Sequence, residues 1–136
     1  AGHLGVAWGW YLLSPNWQSV WPKVSKPWDY DEVNVTKAVI LMTDGDFNVN
    51  HPTASKNSFR QAMDLCDAMK AEPANVQVYT VGFQVPSYVQ KTSDGRTIME
   101  YCATSPSFAF DASNGEELKD VYREIAQSIS DLRIKN

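Results

Sequence analysis

An unbroken apolar run, Ala38-Val39-Ile40-Leu41-Met42, stops abruptly at Thr43-Asp44-Gly45. Apolar, partly β-branched residues with no polar alternation need cover on both faces, which is the situation of a parallel strand between layers of helices. The run therefore predicts a buried strand over 38–43 that delivers Asp44 to its carboxyl end, where open α/β sheets bind their ligands. Gly and Asp also make ordinary polar turns, so the run alone leaves both readings of Asp44 open.

The remaining pattern is laid out around that strand. Leu4, Ala7, Trp8 and Tyr11 recur at helical spacing and predict an opening helix that stops before Ser14-Pro15, with this stripe turned to the sheet. Residues 14–36 carry three prolines and Trp17, Trp21 and Trp28 without periodicity. Such a stretch either presents its indoles to a partner, with Trp17 and Trp21 as anchors, or folds back over a sheet end, and burial of large rings favours the second. Asp46 to Lys56 is a polar loop containing Asn48 and His51. Ser58 with Gln61 has the spacing of a capping box, followed by an apolar stripe of Phe59, Ala62, Met63, Cys66 and Met69 that predicts a helix over 58–71. Val76 to Phe83 predicts a second strand, Ile98 to Ala103 a short helix, and Ser107 to Asp111 a third strand whose brevity suits a sheet edge. Ser113 and Glu116 suggest another cap, ahead of a final helix with Leu118, Val121, Tyr122, Ile125, Ile129 and Leu132 on one side. Alternation of helices and strands predicts an α/β domain with an open parallel sheet and flanking helices. With right-handed crossovers the strand order is first, second, third, and the helices at 58–71 and 98–103 share a face.

Composition narrows the function. The 136 residues are 43% hydrophobic and 21% charged, as in a single globular domain, and no apolar run nears the roughly 18 residues of a membrane span. A net charge of −4 with no basic block argues against nucleic acid. Enzyme chemistry has little to work with. There is no Gly-x-Ser-x-Gly elbow, no phosphate loop, and only His3 and His51 titrate near neutrality. A phosphatase or hydrolase using Asp44 is the catalytic alternative, and a purely structural half-domain the plainest one. The two cysteines, Cys66 and Cys102, are open to two states, free thiols or one disulfide.

His3 to Trp10, Leu13-Ser14-Pro15-Asn16-Trp17, Leu41 to Asn48, Cys102-Ala103-Thr104-Ser105-Pro106 and Asp131-Leu132-Arg133 together resemble the carboxyl-terminal half of the von Willebrand factor A-like TadG family of pilus-assembly proteins. The resemblance implies a Rossmann-like von Willebrand factor A domain, of which residues 1–136 are the carboxyl-terminal portion, with the amino-terminal strands and the Asp-x-Ser-x-Ser metal segment missing from this chain. It implies a non-catalytic adhesion module of the Tad (Flp) pilus machinery, in the periplasm or at the cell surface, in a parent protein anchored in the inner membrane. Asp44 matches the family's Thr-Asp-Gly metal position, while Asp46, where relatives often have Glu, and Asn48 join Trp17 and Trp21 as candidate partner contacts. The intact domain is expected to hold Mg²⁺ or Mn²⁺ and capture a partner's carboxylate, from a pilus or cell-envelope component. This piece, with one of three metal segments, is expected to bind metal weakly or not at all. An oxidising compartment, with the helices of Cys66 and Cys102 on one face, implies a disulfide between them. The apolar edge of the 38–43 strand is expected to seek either the missing half or a second copy of this chain.

Overall fold

The computed structural model describes residues 2–48 and 57–134, and His51 lies outside them. Helix α1 (Gly2–Leu13) leads through two short 3₁₀ turns to strand β1 (Ala38–Thr43). Helix α2 (Ser58–Lys70), strand β2 (Gln77–Phe83), helix α3 (Ile98–Cys102), strand β3 (Ala109–Ala112) and helix α4 (Gly115–Ile134) follow. The sheet is parallel throughout in the order β1-β2-β3, with Ala38 beside Gln77 and Thr80 beside Ala109. The α/β class and the strand order are thus those expected from the pattern. The third strand begins two residues later than its alternation suggested, because Pro106–Phe108 forms a 3₁₀ turn.

Three helices cover one face. Val6, Phe59, Ala62, Cys66, Met69, Ile98, Met99 and Cys102 from α1, α2 and α3 pack with Leu41 and Val78 in one core. On the opposite face, among the described residues, α4 is the one helix, setting Val121 and Ile125 against Tyr79 and Val81 of β2. Strand β2 is central and buried on both sides, which explains its Val-rich run. Cys66 and Cys102 are disulfide-bonded, fully buried between α2 and α3.

Three local readings need correction, and one, the folding back of the tryptophan segment, holds. Helix α1 does not bury the Leu4-Ala7-Trp8-Tyr11 stripe as a whole: Leu4 and Trp8 are more than half exposed, and Ala7 is its one buried member, beside buried Val6. Its inner side carries Val6, Trp10 and Leu13, a stripe at helical spacing packed on the core, and Gly9, where a Cβ would lie 3.3 Å from Val39, lets the helix settle close to β1. The tryptophan segment closes over the amino end of β1, away from Asp44. Lys37 Nζ donates to the carbonyls of Leu13 and Trp28, Trp21 Nε1 donates to the Tyr11 carbonyl, and Trp17 stacks on Tyr11, while Trp28 stays exposed. Asn57, not Ser58, caps α2 through the Arg60 N–H; Ser58 is buried and hydrogen-bonds His3 Nδ1. Asn114, not Ser113, caps α4, accepting from the N–H groups of Glu116 and Glu117. A capping box of Thr97 with Glu100, not picked out from the sequence, starts α3.

Candidate functional site

The carboxyl ends of the three strands meet in a shallow basin. Strand β1 ends at Thr43, whose hydroxyl accepts from the Gly45 N–H and donates to the Gly45 carbonyl, tying the Thr-Asp-Gly turn into a closed loop. That loop leaves the Asp44 side chain exposed in front of the strand end. Asp46 turns the other way: its Oδ1 accepts the Gln90 N–H at 2.8 Å, linking the loop after β1 to the connection over residues 84–97. Asn48 is exposed. Trp17 and Trp21 are half-buried at the far end of β1, so the structure brings Asp44, Asp46 and Asn48 into one region and leaves the two tryptophans out of it.

Beside this turn lies a cavity of about 60 Å³ whose walls include Thr43, Asp46, Gly82, Glu100 and Asp111. A larger open cleft of about 430 Å³ continues from it under Gln84, Val85 and Pro86 toward Ser113 and Glu117. Asp111 stands in both walls and was not singled out from the sequence, where it looked like a plain strand residue. Its one signal was Gly82, since glycine in a strand marks a close approach: a Cβ there would fall 2.5 Å from Asp111 Oδ1. Burial raises the Asp111 carboxyl above the usual range, and the Glu100 carboxylate adds to the rise. Glu117 at the cleft's rim is held below its ordinary value, first by the Ser113 hydroxyl and then by the Ser113 N–H.

A raised carboxyl is a stability statement with a definite sign. Ionised Asp111 is disfavoured in the fold, so its contribution is most favourable below the unfolded carboxylate pKa and is lost as pH rises through the elevated folded value. Asp111→Asn is therefore expected to raise the urea midpoint at pH 7, with the gain over the parent chain vanishing once pH falls below the carboxylate range. A gain that persists unchanged in acid would assign the effect to something other than charge.

A Mg²⁺ or Mn²⁺ site of six oxygens fits these residues poorly. Thr43 Oγ1 is engaged by Gly45, Asp46 is turned to Gln90, and Asp44 alone on this loop offers a carboxylate to the solvent side. Among the described residues no three His, Cys, Asp or Glu side chains are grouped so as to hold a metal ion. Among them also, no helix is long and apolar enough to cross a membrane. No family model, no curated protein and no solved structure matches the chain.

Proposed function

We propose that this chain is the carboxyl-terminal portion of a von Willebrand factor A-like domain of the TadG-like type, a non-catalytic protein-binding module of pilus assembly. The observation that carries the reading is the exposed Asp44 carboxylate, held by a closed Thr43–Gly45 turn at the carboxyl end of a parallel strand that is itself a sheet edge. One strand end of an open sheet presents a single oxygen donor there, and further segments on the open side of β1 would supply the others. In the intact domain Asp44 would help hold Mg²⁺ or Mn²⁺, a hard cation that keeps exchangeable waters which a partner's carboxylate can displace. Asp46 and Asn48 would border the incoming partner, a pilus or cell-envelope component. The buried Cys66–Cys102 disulfide suits a periplasmic or surface location, where such bonds persist.

The reading places no turnover on this chain. The walls of the cavity beside the Thr43–Gly45 turn hold no histidine, cysteine or lysine, and the adjoining cleft adds Lys91. Incubation with generic phosphate monoesters and carboxylic esters is expected to give background rates, the same for the parent chain and Asp44→Ala. Hydrolysis lost on that substitution would replace the binding module with an enzyme.

A further inference from the structure

The tryptophan segment carries a small loop with a closed neck. Gln18 Nε2 donates both to the Pro27 carbonyl at 2.9 Å and to Asp29 Oδ1 at 3.0 Å, which pins the two ends of the excursion together. Such a loop is of the compact Ω kind. Within it the Val20 N–H donates to the Trp17 carbonyl and the Ser25 N–H to the Pro22 carbonyl, the second alongside a 3₁₀ turn over Lys23–Ser25. Pro22 and Pro27 each fix a φ angle, and Trp21 ties the loop inward through its hydrogen bond to the Tyr11 carbonyl. The excursion is held in shape by bonds of its own.

What it holds out is apolar. Val24, in the middle of the 3₁₀ turn, is 96% exposed, and Val20 and Trp28 on either side are 59% and 63% exposed. Single exposed hydrophobics are ordinary on any surface. Three in one pinned loop, while Trp17 and Trp21 of the same segment pack inward, form a presented set. Lys23 and Lys26 flank Val24 and are exposed, and no acidic residue lies between Gln18 and Trp28.

We propose that this loop seats the chain on a phospholipid bilayer surface, with Val24 and Trp28 entering the headgroup boundary and Lys23 and Lys26 reaching lipid phosphates. Protein interfaces are depleted in lysine relative to the rest of the surface. A bilayer boundary takes this combination: indoles settle at headgroup level, lysine stems lie along apolar surface while their ammonium groups stay with the phosphates, and retention scales with apolar area plus charge. The acidic residues that follow set the balance between those two contributions. Asp29 is held at the neck by Gln18, but Asp31 and Glu32 are exposed beyond it and oppose an anionic surface, so the apolar residues carry most of the hold. The segment closes over the amino end of β1, where Lys37 Nζ donates to the Trp28 carbonyl, and Asp44 stands at the other end of that strand. A bilayer beneath the loop therefore leaves the strand-end basin free for a partner. The seat goes beyond the binding role and does not depend on metal at Asp44.

The probe is a vesicle of phosphatidylcholine with a minority of phosphatidylglycerol. The chain is expected to co-sediment with such vesicles at millimolar lipid, and brominated phospholipid is expected to quench the fluorescence of the parent chain more than that of Trp28→Phe. Val24→Asp is expected to weaken co-sedimentation about tenfold, because burial of one aliphatic side chain contributes a factor of that order. Since Val24 is almost wholly exposed, the variant is expected to keep the parent's far-ultraviolet spectrum and urea midpoint. Tyr88→Asp, at a residue 83% exposed on the connection over residues 84–97, is expected to co-sediment like the parent. A parent chain left in the supernatant, a Val24→Asp chain bound as well as the parent, or an equal loss in Tyr88→Asp would overturn the proposal. A chain that ignores vesicles, and whose complex with another protein is broken by Val24→Asp, would give the loop to a protein partner instead.

Discussion

Replacing both Cys66 and Cys102 by alanine is expected to lower the unfolding free energy by about 4 kcal/mol, a large share of a typical domain's 5–15 kcal/mol. The bridge spans a sequence separation of 36, and the chain-entropy estimate for a loop of that length gives this magnitude. Its structural effect is concentrated on α3. Five residues cannot sustain a helix unaided, and α3 is held from several sides: by the disulfide to α2, by Lys70 Nζ donating to the Tyr101 carbonyl, by the Tyr101 hydroxyl donating to Asp67, and by the Thr80 hydroxyl donating to the Met99 carbonyl. With the bridge gone, the polar contacts remain but the denatured chain is freed. Urea unfolding followed by tryptophan fluorescence is the measurement. A loss below about 1 kcal/mol would show that the bridge does little beyond the contacts around it.

Ile125→Ala is the second large effect, at about 2–5 kcal/mol. Ile125 is 1% exposed and sits on α4, which among the described residues is the one helix on its face of the sheet, packed in the cluster with Tyr79, Val81 and Val121. Among the described residues no second helix lies on that side of β2, where Phe108 stacked on Tyr79 is the main further cover, so a cavity there has little around it to absorb the loss. Tyr122→Ala, three residues earlier on the same helix and 39% exposed, is expected to cost far less. Equal losses for the two variants, measured by the same urea transitions, would mean that α4 is not anchored through Ile125.

The α/β class, the parallel order and the strand bearing Asp44 were legible in the sequence because each rested on a long, one-signed pattern: the 38–42 run, the Val-rich 76–83 segment, and the spaced apolar residues of α2 and α4. What failed was the direction of α1. That helix is apolar on nearly every side, with Val6, Trp10 and Leu13 inward and Leu4, Trp8 and Leu12 outward, so spacing alone could not choose between the two stripes. Caps slipped by one residue where adjacent polar residues, Asn57 and Ser58 or Ser113 and Asn114, could each serve. Asp44 was visible as a strand-end carboxylate. Asp111 was not, because its place in the basin depends on crossing Gly82 from a neighbouring strand, a contact distant in sequence.

One carboxylate in water is a weak anchor for a strongly hydrated dication. At a solvated loop a single pair contributes only a few kcal/mol of Coulomb attraction before desolvation opposes it, and Mg²⁺ or Mn²⁺ is normally held by more than one protein or substrate oxygen. Calorimetric titration of the 136-residue chain with Mn²⁺, beside the same chain carrying Asp44→Ala, is the most direct test of an incomplete adhesion site. The expected result is weak binding or none in the parent chain and none in the variant. Tight, one-to-one binding by the parent chain alone would contradict it.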